Sequence, residues 1–258
     1  MMQDKPINIY WTGDPTPSDR QNQNFWHPEP QTLWENTARA YTINPDTGEG
    51  GVLLPGRSVM SCPGWKDLSQ HTFLVKVPHP SQFDIHDYAV RPREGTVFHG
   101  QIVRHPSFEG HKLFHFTMPM YFFSDEPVTL TLTSPWMHEP KYMKYAALIP
   151  GRFNIGKWYR SITFEMSMWD IDADYIEFQE DEPIAYITFD TERPINLIRY
   201  SGTDALKRIS LICETAGTWE PRVPLLKRYR RFKESKMRQE VLKEINENII
   251  DGCPYGKS

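Results

Sequence analysis

Val128-Thr129-Leu130-Thr131-Leu132-Thr133 alternates apolar and hydroxylated side chains at every step. The flanking segments keep the same beat. Between Phe114 and Phe122 the even positions are apolar (Phe114, Phe116, Met118, Met120, Phe122). Between Ile162 and Met168 they are again (Ile162, Phe164, Met166, Met168), with Ser161, Thr163, Glu165 and Ser167 between them. Side chains on a strand point alternately to its two faces, so each segment reads as a strand with one dry and one wetter face. That is the pattern of an antiparallel sheet packed on one side. Working outward, the spacing predicts strands at 7–11, 73–77, 83–90, 96–104, 112–123, 127–133, 143–149, 160–168, 174–178, 183–189 and 195–200. The stretch 33–43 fits a strand or a short helix, and Asn44 to Gly51 is a turn leading into Val52-Leu53-Leu54. Short strands separated by turn residues describe an all-β protein, an antiparallel β-sandwich or jelly roll.

After Pro221 the two-residue beat stops and helix formers take over. Leu225, Tyr229 and Phe232, then Met237, Val241 and Ile245, draw an apolar stripe broken at Lys236, with Pro224 in the first turn. The chain therefore divides into a β-sandwich domain, 1–218, and a basic amphipathic C-terminal α-helix and tail, 219–258. The proximal half of that helix is expected to dock on the sandwich. The half from Met237 to Ile249 is expected to be free for a protein partner or self-association.

A chain of 258 residues with formal charge −4 and pI near 6.1 gives no overall reason to expect nucleic-acid binding. From Arg222 to Ile250, however, nine Lys/Arg stand against four Glu, a net of +5 that leaves −9 elsewhere. Such a run is usually the solvated face of a helix. Three cysteines, Cys62, Cys213 and Cys253, do not make a disulfide framework and suit a reducing compartment. The start lacks a secretory leader pattern and no apolar run approaches bilayer length, so a soluble protein away from membranes is expected.

The candidate chemistry is sparse. His111 and His115, four apart on one strand, are about 13 Å apart and do not share an ion. Strand ligands lie two residues apart or on adjacent strands, which leaves His115 with His138 and Glu139 as an alternative to no metal at all. Cys62 and His71 read better as a Cys62-Pro63-Gly64 corner and a bystander than as nucleophile and base. No Gly-x-Ser-x-Gly, Walker loop or His-Glu-x-x-His occurs. The segment Ile149 to Arg160 is the most unusual loop: Arg152, Lys157, Trp158 and Arg160 offer a rim for an anionic group, guanidinium groups pairing with carboxylates or phosphates and stacking on indole.

The run from Phe114 through Leu130-Thr131-Leu132-Thr133-Ser134-Pro135, then Pro150-Gly151-Arg152-Phe153-Asn154-Ile155 with Trp158 and Arg160, then Asp181-Glu182-Pro183-Ile184-Ala185-Tyr186-Ile187-Thr188-Phe189, resembles an uncharacterised family of tailed marine bacteriophages and some bacteria. The resemblance spans residues 60–200. It implies a β fold and a viral setting, in the host cytoplasm or the virion, and brings no catalytic residue. The strand entries are also similar to those of cupins, jelly rolls that often hold a metal, although no His-x-His stands in the matching place. The leading expectation is a non-catalytic binding or assembly protein without a cofactor. The alternatives are a cupin-type enzyme using a divalent metal such as iron, oxygenase or isomerase in class, and a carbohydrate-binding module in which Trp26, Trp34, Trp65 and Trp136 share an exposed face.

Overall fold

In the computed structural model the described residues are 5–13, 28–41, 62–86, 89–96, 101–170 and 172–250. Trp26, the turn at 44–51, Val52 to Leu54, His99 and Cys253 lie outside them. In chain order the elements are β1 (Ile7–Thr12), β2 (Gln31–Thr32), α1 (Leu33–Tyr41), α2 (Pro63–Gln70), β3 (Thr72–Lys76), β4 (Ser81–Ile85), β5 (Val90–Pro92), β6 (Gln101–Phe108) and β7 (His111–Phe123). Then come β8 (Thr129–Thr133), β9 (Ala146–Leu148), β10 (Gly151–Asn154), β11 (Ser161–Met168), β12 (Tyr175–Phe178), β13 (Pro183–Asp190), β14 (Ile195–Arg199), α3 (Asp204–Trp219), α4 (Leu225–Glu234) and α5 (Lys236–Glu247).

The protein is a mostly β sandwich of antiparallel sheets with a C-terminal helical layer. One sheet runs β14-β1-β7-β11-β9 with β6 on the free half of β7, a second runs β10-β8-β13-β3-β2, and a third β12-β4-β5. Pairing is antiparallel except between β1 and β14. Along β11 the even positions, Phe164 and Met166 included, are buried, while Thr163 and Glu165 are partly exposed, as the alternation predicts. The inner faces meet through aromatic contacts: Phe122 on β7 lies 5.8 Å from Phe189 on β13, and Phe116 on β7 lies 5.4 Å from Phe178 on β12.

Several elements settle or depart from the sequence reading. Of the two readings open for 33–43 the described part takes the helical one, Leu33–Tyr41, with Leu33 and Thr37, one turn apart, both buried. The Cys62-Pro63-Gly64 corner is the start of α2, where Pro63 at the first helical position loses no hydrogen bond and Trp65 turns inward. Residues 151–154, read as loop, form edge strand β10 against β8. Helix α3, unanticipated, begins after Thr203, whose Oγ1 accepts from the Leu206 amide at 3.2 Å, and buries Leu206, Ile209, Ser210 and Cys213.

The C-terminal expectation is corrected most. Helical structure starts at Asp204 and the distal half is core: Val241 and Ile245 are both 0% exposed, packed with Phe232, Tyr10, Phe123, Tyr159 and Tyr200. Ser235 is extended between α4 and α5, so the chain turns there, with Phe232 of α4 and Val241 and Ile245 of α5 all buried. At the start of α4 Leu225 and Leu226 are exposed, as is Trp219 at the end of α3.

Candidate metal centre

Helices cover the outer face of β7 at its Phe123 end, but at its His115 end that face is open. Here β7 lies between β6 and β11, and the ladder sets Val103, His115 and Glu165 side by side across three strands. His105, two residues from Val103, reaches the same face. Its Nε2 lies 2.8 Å from His115 Nδ1 and 3.4 Å from Glu165 Oε2, and His115 Nδ1 lies 3.6 Å from Glu165 Oε1. Donors about 2.0–2.1 Å from a shared ion stand about 2.9–3.4 Å from one another, so the three groups are close to ligand spacing as they are.

A bulge makes this possible. Glu109 and Gly110, both at positive φ, form a two-residue hairpin turn closed by the pair Phe108 and His111. Continued without interruption, that ladder would oppose His105 to Phe114 and point it at the core. The register shifts between His105 and Phe108, a stretch that includes Pro106, so His105 opposes Leu113 and joins His115 outside.

His115 is suited to ligation. Burial lowers its pKa below the usual histidine value; Glu165 opposes that, while the positive charges of His105 and Arg160 add to it. A neutral imidazole keeps its lone pair, the form a metal requires. Arg160, whose Nη2 donates to Thr163 Oγ1 at 3.5 Å, is thus electrostatically in reach of the centre.

The three residues named from sequence are not brought together. His138 Nδ1 bonds the Tyr186 hydroxyl and its Nε2 bonds Asn36 Oδ1 at 3.1 Å, on the second sheet, and Glu139 is exposed. His115 belongs to the centre; His138 and Glu139 do not, because β7 and the loop before β9 serve different faces of the sandwich. Among the described residues, His105, His115 and Glu165 are the group of His, Cys and acidic side chains that converges at ligand distance. His111 bonds Ser167 Oγ at 2.9 Å further along β7. Cys62 and His71 stand at opposite ends of α2, with the His71 ring facing the carbonyls of Asp67 and Arg193.

No protein-family model and no curated protein matches the chain. Among the described residues no helix is long and apolar enough to cross a membrane.

The anion-rim residues assemble in part. Arg152, Trp158 and Arg160 line one cleft with Leu225 and Tyr229 of α4, which the sequence reading did not join to them; Lys157 stands outside its lining. Of the tryptophans, Trp65 and Trp136 meet edge to face at 5.5 Å with Trp34 packed alongside, but Trp65 is buried and Trp136 is 46% exposed.

Proposed function

We propose that the protein is a metal-binding β-sandwich that holds a divalent transition-metal ion through His105, His115 and Glu165. The reading is carried by the convergence of these residues from three adjacent strands, one ligand atom of each lying within 4.8 Å of the others. Two imidazoles and a carboxylate suit zinc, iron, nickel or copper, and three protein ligands leave coordination positions for an incoming molecule. Those positions face solvent on the outside of a sheet, unlike a site inside a barrel. They therefore serve recognition of an exogenous ligand at the surface, which keeps the binding role expected from sequence and gives it a metal.

Cobalt(II) tests this directly, because its visible spectrum reports coordination by nitrogen and oxygen. Chelator-treated protein should take up one equivalent, with a ligand-field spectrum that His105→Ala, His115→Ala and Glu165→Gln each weaken or abolish. Equal uptake by all three variants would remove the proposal.

A further inference from the structure

We propose that the cleft between the paired strands β8 and β10 and helix α4 is a binding site for a small ring-bearing anion, an aromatic carboxylate or phosphate. This goes beyond the metal reading and does not rest on it. The cleft measures about 140 Å³, and its walls include Phe153, Trp158, Leu225 and Tyr229. An apolar cavity of about 150 Å³ accommodates benzene, so the space suits one ring. Trp158 lies 5.7 Å from Tyr229, tilted at 56°, and the two present aromatic surface to the same space.

Two arginines, Arg152 and Arg160, are in its lining and add charge. The Arg152 guanidinium is engaged with Asp190 at 3.1 Å, a carboxylate that partly offsets it. Arg160 has a neutral partner, Thr163, at 3.5 Å. A ligand carboxylate or phosphate would give Arg160 a charge-assisted, two-pronged partner, about twice as strong as a neutral hydrogen bond. Arg160 thus selects the anion and Trp158 and Tyr229 select the ring, a division of labour common in small-molecule sites.

Saturation-transfer NMR with a chelator present, so that the metal centre takes no part, tests the site on the full chain. Benzoate and phenyl phosphate are the ring anions, benzyl alcohol is the ring without charge, and acetate and methyl phosphate are the charge without ring. The ring anions should bind at least tenfold better than either control class, and the better of the two names the head group. Arg160→Ala, a change at an exposed side chain, should lose that tenfold preference with the thermal melt unchanged. Leu225→Trp, on a half-exposed rim, should fill the cleft and abolish binding. Equal binding of benzyl alcohol, full retention in Leu225→Trp, or no signal from either ring anion at millimolar concentration overturns the assignment.

Discussion

His105 Nε2 and His115 Nδ1 stand 2.8 Å apart across β6 and β7, and one carboxylate, Glu165, offers an oxygen to each. At that separation one N–H proton bridges the two ring nitrogens as a hydrogen bond. An ion replaces that proton at little structural cost. Because it binds only the folded ladder, it should stabilise the fold by about 2.7 kcal/mol at a hundredfold excess over Kd. Zinc titration followed by thermal melting should raise Tm for the native protein and leave Tm unchanged in Glu165→Ala. A rise of the same size in the variant would place the ion elsewhere.

The position of Val241 and Ile245 in the second core leads to a prediction opposite to that drawn from the sequence. Ile245→Ala should cost about 2–5 kcal/mol, the range for emptying a buried aliphatic site. Leu226→Ala, at a 79% exposed side chain, should stay within about 0.5 kcal/mol. Truncation after Glu234 should yield unfolded protein by circular dichroism, where the sequence alone suggested a folded monomer with altered association. A folded truncated chain would show α5 to be dispensable.

How far the sequence reaches follows from which contacts are local. The strands β7, β8 and β11 were legible because each has one wet face, so the two-residue period survives. Helix α3 was not: its buried stripe of Leu206, Ile209, Ser210 and Cys213 includes a serine and a cysteine that blur the apolar period. For the proposed site, the expectation of donors on adjacent strands led to His115, which lies beside His105 and Glu165 on the neighbouring strands. Its partners were out of reach because pairing with Glu165 spans 50 positions of the chain and the face of His105 turns on a bulge between His105 and Phe108. The cleft residues Arg152, Trp158 and Arg160 were visible as one unusual segment; their neighbours Leu225 and Tyr229 arrive only through tertiary folding.

Gly156 marks a close approach of backbone to backbone. A Cβ there would lie 2.2 Å from the Glu126 carbonyl oxygen, with the peptide carbon and Pro127 just behind. Gly156→Ala must push the two loops apart and should cost about 1–3 kcal/mol in urea denaturation. Gly64, inside α2 with nothing near its missing side chain, is the counterpart: Gly64→Ala should stabilise by about 0.5–1 kcal/mol. Equal effects of the two changes would refute the steric account.

The thiols should separate by environment. Cys62 is exposed, whereas burial pushes the Cys213 thiol up to about 12, with Glu214 adding to the rise and the Tyr159 backbone amide and Arg160 opposing it. At pH 8 a maleimide should label Cys62 within minutes and leave Cys213 unmodified until denaturant is added, as read by peptide mass spectrometry. Labelling of Cys213 in the native protein at the Cys62 rate would contradict its place in the helical core.

His138 gives the fold an acid limit. Its Nε2–H donates to Asn36 Oδ1 at 3.1 Å, so its Nδ1 accepts from the Tyr186 hydroxyl, tying the loop before β9 to α1 and β13. Burial lowers its pKa, and the positive charge of Lys76 lowers it further. The unfolded chain therefore binds the proton better than the folded one. Stability from this group is fully present above the unfolded value of about 6.5, and is lost as pH falls below it toward the depressed folded pKa. Protonation also removes the acceptor that Tyr186 uses, so the tie fails together with the charge balance. Urea denaturation at pH 7.5 and at pH 5.5 should show a loss in the native protein that is smaller in His138→Gln, which keeps an amide donor and acceptor but does not titrate. Because His115 is also depressed and titrates in both proteins, the comparison isolates His138. An identical acid loss in the two would mean that His138 is not the group that limits the fold.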